Sequence, residues 1–184
     1  MASKIKVDQI QTADGTGTIA LQNQLSGMTT ASLPALGSAQ MPTGSVLQVV
    51  QNGTFAQTNF TTRNTWTSTN QNLSITPSST SSKILVMMTV YLSPRGDANS
   101  HIRGGVRLKR GSTVIWNTEA SPEHASITGY NGETTSMIPV NALDSPSSTS
   151  SVTYSLEAWL NDGSQIYVFG SGVGGSITLM EIAG

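Results

Sequence analysis

The side chains in this sequence that could do chemistry are few and scattered. Its two histidines are His101 and His124. Glu123 precedes His124, and Asp97 lies in the loop before His101. Histidine beside a carboxylate can hold a metal or move a proton. Neither pair sits in a HisGluXXHis or EF-hand pattern, so both are read as solvated loop groups. Asp97 and Asn99 supply too few oxygens for calcium, which takes six to eight. Serine is abundant, but none occupies a GlyXSerXGly elbow followed by an acid and a histidine. Gly170, Gly172, Gly174 and Gly175 lead into a strand pattern rather than a helix, so they do not form a phosphate cradle. Cysteine is absent, which excludes disulfides, thiolate metal sites and a thiol nucleophile. No catalytic residue, metal ligand or cofactor is assigned, and the expectation is a protein that is not an enzyme.

Charge says more. Lys and Arg total 9 against 10 Asp and Glu, for a formal net charge of -1. A nucleic-acid partner calls for a basic excess and is not expected. Arg95, Arg103, Arg107, Lys109 and Arg110 are nevertheless crowded together, and most later charges are acidic. Their plain role is a solvated face or partners for Glu119, Glu123 and Glu157. Their sharper role is contact with an anionic ligand or a sister subunit. Trp66, Trp116, Trp159, Tyr91, Tyr154 and Tyr167 fall in strand patterns and are expected mostly in the core. Tyr130, between Gly129 and Asn131, is expected on an exposed tip.

These residues need a scaffold, and the scaffold is organised around Lys83–Leu92, read KILVMMTVYL. Ile84, Val86, Met88, Val90 and Leu92 alternate with Leu85, Met87, Thr89 and Tyr91. Both sets are largely apolar, so this strand is expected to be covered twice, by a second sheet and by another strand, loop or subunit. The cleanest half-buried strand is 101–110, with Ile102, Val106 and Leu108 on one face and His101, Arg103, Arg107 and Lys109 on the other. It turns through Gly111 and Ser112 into a hairpin with 113–118. The segment 134–140 reads as an edge strand because Pro139 cannot donate to a ladder. The segments 152–160 and 165–169 flank AsnAspGlySer, a hairpin turn signal. The run PSSTSS occurs at 77–82 and again at 146–151, each time leading into a long apolar strand, which would place the starts of those two strands at one end of the fold. Strands also read at 45–51, 65–69, 73–75 and 176–182. Nine or ten short strands without a helical period specify an antiparallel, jelly-roll-like β-sandwich over 44–184.

Ahead of that head lie two further segments. Residues 1–23 alternate around an Asp-Gly turn and read as a hairpin or extended pair, with Ile5, Val7, Ile10, Ile19 and Leu21 as its apolar contacts. An isolated ribbon of this kind needs a partner surface. Residues 24–43 read as a linker with apolar handles at Leu25, Met28, Leu33, Leu36 and Met41. No stretch approaches a membrane span and none has the apolar core of a signal peptide, so synthesis in a cytoplasm is expected, without membrane insertion.

The opening SKIKVDQIQTADGTGTI, the stretch TPSSTSSKILV, the segment GVRLKRGSTVI, the run DSPSSTSS and the ending SITLMEI resemble a family of short structural proteins of marine and cyanobacterial tailed phages. The resemblance implies a virion component, a homotrimeric tail fibre or tip protein. Its amino-terminal segment would attach to phage tail, baseplate or neck proteins. Its sandwich would face outward and bind a host cell-surface glycan or protein receptor. The loops 93–99 and 121–132 have no match in the resemblance and would carry receptor choice, with Arg95, Asp97, Asn99, His124, Tyr130 and Asn131 facing the ligand. A capsid or neck decoration protein is the alternative. A glycan-degrading tailspike would need two carboxylates about 5 to 10 Å apart from among Glu119, Glu123, Asp144, Glu157 and Asp162. A charge at Met88 or Val90 is expected to prevent assembly.

Overall fold

The strand β4, Lys83–Gly96, has sheet neighbours on both sides along much of its length. It belongs to a computed structural model that describes residues 37–53, 55–96, 102–118, 126–127, 132–133, 135–169 and 175–184. The attachment contacts at Ile5, Val7, Ile10, Ile19 and Leu21 lie outside these residues, as do Asp97, Asn99, Glu119, Glu123, His124, Tyr130 and Asn131. The described unit opens at Gly37 with a single 3-10 turn at Ser38–Gln40.

Before β4 come β1 (Val46–Gly53), β2 (Thr58–Phe60) and β3 (Trp66–Ile75). After it come β5 (Ile102–Arg110), β6 (Thr113–Asn117), β7 (Ser126–Ile127), β8 (Gly132–Glu133), β9 (Ser136–Asp144), β10 (Val152–Asp162), β11 (Gln165–Val168) and β12 (Ser176–Ile182). A seven-stranded sheet runs β1-β12-β4-β11-β2, with β8 and β9 also pairing β4. A five-stranded sheet runs β3-β10-β5-β6, with β7 also pairing β5. The named pairings are antiparallel, and the two sheets close on one another as a β-sandwich.

The core follows from strand parity. Ile84, Val86, Met88, Val90 and Leu92 of β4 meet Val106 and Leu108 of β5, Leu156, Ala158 and Leu160 of β10, and Ile177 and Leu179 of β12 in one cluster. Gly104 lets the sheets approach closely, since a Cβ there would run into Ile166 Cδ1 in the opposite sheet. The 113–118 hairpin forms as read, Lys109 pairing with Val114 and Arg110 with Thr113. β9 is an edge strand on β4 and places Pro139 opposite Thr89, as an edge permits. Both PSSTSS runs lead into strands at one end of the sandwich, because Val152 at the start of β10 pairs with Ile75, just before the run that leads into β4.

Two expectations fail. AsnAspGlySer does not close a hairpin: β10 lies in the five-stranded sheet, while β11 pairs with β4 and β2 in the other. Gly163 takes φ +111, and Ser164 donates from its backbone N to Arg95 O at 2.8 Å, so the turn is a corner that carries the chain between sheets. The segments 65–69 and 73–75 are one strand, β3, bent where Asn70 takes a left-handed φ of 59.

Register gives the sandwich a direction. One end, the base, gathers Val46, Ile75, Lys83, Asp144, Val152 and Ile182. The other end, the tip, gathers Gly53, Trp66, Gly96, Ile102 and Ser176. The chain enters at the base, where Gly44 N donates to Ala183 O and Ala183 N to Ser45 O, both at 2.8 Å.

Candidate functional site

The second apolar face of β4 has no cover among the described residues. Leu85 pairs with Met180 on β12 and with Leu143 on β9, and Met180 pairs in turn with Val49 on β1. These pairs form one apolar row, Val49, Met180, Leu85 and Leu143, across four neighbouring strands. Val49 is 55% exposed and Leu143 58%. Below the row lie Val46 and Ile182, and above it Met87 and Met137. The row spans about 14 Å at the usual strand spacing and, with Val46, Ile182 and Met87, covers roughly 200 Å²; Met137 stands apart from it, beyond Asn141 and Pro139 on β9. What marks it is the exposure of Val49 and Leu143 side by side with other apolar residues, and not its area alone. Gln51, Thr178 and Asn141 give it a polar margin. Among the described residues of this half-sheet, the charged side chain on the outer face is Lys83, at the base.

Met88 and Val90 are buried, as the expectation that a charge at either would be buried unpaired requires. Both point into the sandwich, Met88 at 6% exposure and Val90 at 0%. The outward set on the same strand is Leu85, Met87, Thr89 and Tyr91.

The basic stripe resolves into ion pairs. Glu157 sits opposite Arg107 on the outer face of the five-stranded sheet. It accepts from Arg107 Nε at 2.6 Å and from Lys109 Nζ at 3.0 Å. Arg103 Nε lies 4.0 Å from Asp162. Arg110 points the other way and meets Asp144 at 2.7 Å, and Tyr154 Oη donates to the same Asp144 oxygen at 2.7 Å. Burial, then that hydrogen bond to Asp144, pushes the Tyr154 hydroxyl far above the usual tyrosine range. Asp144 and Glu157 thus lie on opposite sides of the five-stranded sheet and do not face one cleft.

Glu181 is buried inside the chain at the base. Ser78 donates to it from its backbone N and its hydroxyl, both at 2.7 Å, and Gln48 Nε2 donates at 2.6 Å. Burial pushes the Glu181 carboxyl up, but the bonds from Ser78 and Gln48 outweigh it and hold the group below the usual glutamate range. Glu157 behaves alike: burial raises it, and Lys109 with Arg107 brings it lower. Groups depressed in the folded state stabilise above the unfolded glutamate pKa of about 4.3, and that contribution is lost as pH falls through the folded value. Thermal midpoints are expected to be flat above about pH 5 and to fall steadily below about pH 4.3. Glu181→Gln should shrink that fall, and a wild-type midpoint unchanged down to about pH 3 would contradict it.

Of the residues read as ligand-facing, Arg95 is the one within the described set. It lies on β4 opposite Gln165, with its guanidinium 4.4 Å from the Tyr167 ring centroid. The expectation that Trp66 and Trp159 are core is corrected. Trp159 shares a face with Glu157 and Ser155, while its neighbours Ala158 and Leu160 are buried. Trp66 stands directly across from it on β3. Their rings stack at 6.0 Å with 25° between planes, and the Arg107 guanidinium lies 4.5 Å from the Trp66 centroid. Parity with Glu157 was the available signal for Trp159; the placement of Trp66 depends on β3 pairing and has no local signal. Trp116 packs against the core as expected. At the base, a cavity of ≈ 310 Å³ is lined by Met41, Leu47 and serines at 78, 79, 81 and 82 among others, hydroxyls without an acid, base or metal ligand.

No protein-family model matches the chain, and no curated protein matches it. Solved structures overlap it in part. A crystal structure of the infectious bursal disease virus particle is 13% identical at a TM-score of 0.42, over 82% of this chain and 40% of that one. Particles derived from the same virus give 11% identity and a TM-score of 0.37, over 83% and 41%. Dimeric latent PorU from Porphyromonas gingivalis gives 10% and 0.34, over 77% and 11%. The chain thus spans under half the length of each of these, and overlaps of this size establish neither a shared fold nor a shared activity.

Proposed function

We propose that this chain is a non-enzymatic structural subunit of a virion, a homotrimeric tail fibre. In this reading its amino-terminal segment docks on the particle, and its sandwich head, joined to copies of itself, meets the host surface. The observation that carries the reading is the apolar row Val49, Met180, Leu85 and Leu143 on the outer face of the seven-stranded sheet. A face of nearly uncharged side chains can meet its own copy without like-charge repulsion, and self-association is how homo-oligomers cover such surfaces. Its roughly 200 Å² would be the centre of an interface that needs about 800 Å² per partner. Pro139 favours face contact over strand addition, since it breaks the row of donors along the free edge of β9. The direction of the sandwich supports the same reading. The chain enters at the base, which leaves the tip for contact. The sequence resemblance to phage structural proteins supplies the context.

The mass of the full-length protein by light scattering tests it. A trimer is expected, and Leu85→Lys is expected to give a folded monomer, because three like charges would be brought together on one interface. A wild-type monomer, or a trimer unaffected by Leu85→Lys, would overturn this assignment of the face.

A further inference from the structure

The outer face of the five-stranded sheet holds a cluster that neither assembly nor the core accounts for. Trp66 and Trp159 are half-buried on this solvent side, near the tip end. Gly105, directly across from Trp159 on β5, has no side chain to stand between them and the strand beyond. A Cβ there would meet Thr118 Oγ1 at 2.6 Å and the Trp66 ring at 3.8 Å, so the Trp66 indole reaches across β10 and lies low over the sheet. Arg107, stacked over Trp66, fixes the ring in place. Beside the indoles, Glu157 stands between Arg107 and Lys109 and accepts from both.

We infer that this cluster is a glycan-binding platform, taking the pyranose ring of a neutral sugar on the Trp159 side of the indole pair and its hydroxyls on the Glu157, Arg107 and Lys109 array. The chemistry selects that class. Indoles offer a rigid apolar plane for the C–H face of a sugar ring, at little entropic cost because they are already held. A sugar hydroxyl both donates and accepts, and fixed donors next to a fixed carboxylate meet both needs. Glu157 offsets one of the two cations beside it and accepts from both, so the array keeps a single net positive charge around a carboxylate that repels a phosphate or sulfate. The inference rests on the reading of the head as the host-facing part. It names the ligand class and moves the contact from the loops to the sheet face.

The test uses the full-length protein with malto-, cello- and manno-oligosaccharides as probes, read by tryptophan fluorescence and calorimetry, alongside binding of labelled protein to host cells. At least one neutral probe is expected to bind with a Kd between about 10 µM and 10 mM. Trp159→Ala is expected to weaken it about tenfold or more while the circular dichroism spectrum is kept, and Trp159→Phe to retain part of it. An indole that only braces the sheet would not produce that ordering. Absence of binding by every neutral probe, or binding equal in wild type and Trp159→Ala, overturns the platform. If a probe binds in the expected way yet neither it nor Trp159→Ala alters attachment to cells, the platform stands and the host-facing reading falls.

Discussion

Aspartate at Met88 is expected to leave no folded head, while aspartate at Met87, one residue earlier, is expected to leave the head folded and unable to self-associate. Met88 lies at 6% exposure between Val140 and Ile177, whereas Met87 is 41% exposed on the outer face between Asn141 and Thr178. A carboxylate at the first position has no cationic partner among its sheet neighbours, and burying it unpaired costs several kcal/mol. That is a large share of the ~5–15 kcal/mol that holds a domain together. At the second position the charge stays in water in the monomer and meets its own copies only in the assembly. Circular dichroism, a thermal melt and light scattering on the two variants separate the outcomes. A cooperative melt for Met88→Asp would show that the inner face is misassigned, and a trimer of Met87→Asp would show that the outer one is.

Asp144→Ala is expected to destabilise the head by roughly 3–5 kcal/mol, the range for breaking a buried pair from one side. Asp144 is 8% exposed and holds together three strands from both sheets, through Arg110 on β5 and the Tyr154 hydroxyl on β10. Alanine leaves the buried Tyr154 phenol without its acceptor and the half-buried Arg110 without its partner. Asp144→Asn keeps an acceptor and removes the charge, so it should cost less than Asp144→Ala. A chemical denaturation midpoint within experimental error of wild type for Asp144→Ala would remove the group from the account of stability. For a chain of this size such a loss corresponds to a drop in Tm of about 6–20 °C.

Strand content, the central position of β4 and its inner face were all legible, because burial on one side imposes a period of two that apolar residues must obey. The edge character of β9 was legible from one proline. What a sequence does not carry is which sheet a strand joins. AsnAspGlySer has the composition of a tight hairpin, and the same composition suits a corner. The outcome was decided by Ser164 finding Arg95 O at the end of a strand 69 residues earlier. Apolar content on both sides of β4 was legible too, but the expectation of two covers could not say that only one of them comes from the described residues. Tryptophan misled because its size suggests the core. Its parity with Glu157 was the better guide, since parity reports direction and hydrophobicity does not.

The direction of the sandwich also bears on force. In a head tethered at Val46 and gripped at Trp159, tension runs along the strands from base to tip. The hydrogen bonds of β1 with β12, and of β10 with β3 and β5, lie across that line. They are strained together in shear rather than peeled one after another. The same register that orders the core would let such a head hold a particle against flow until many bonds fail at once.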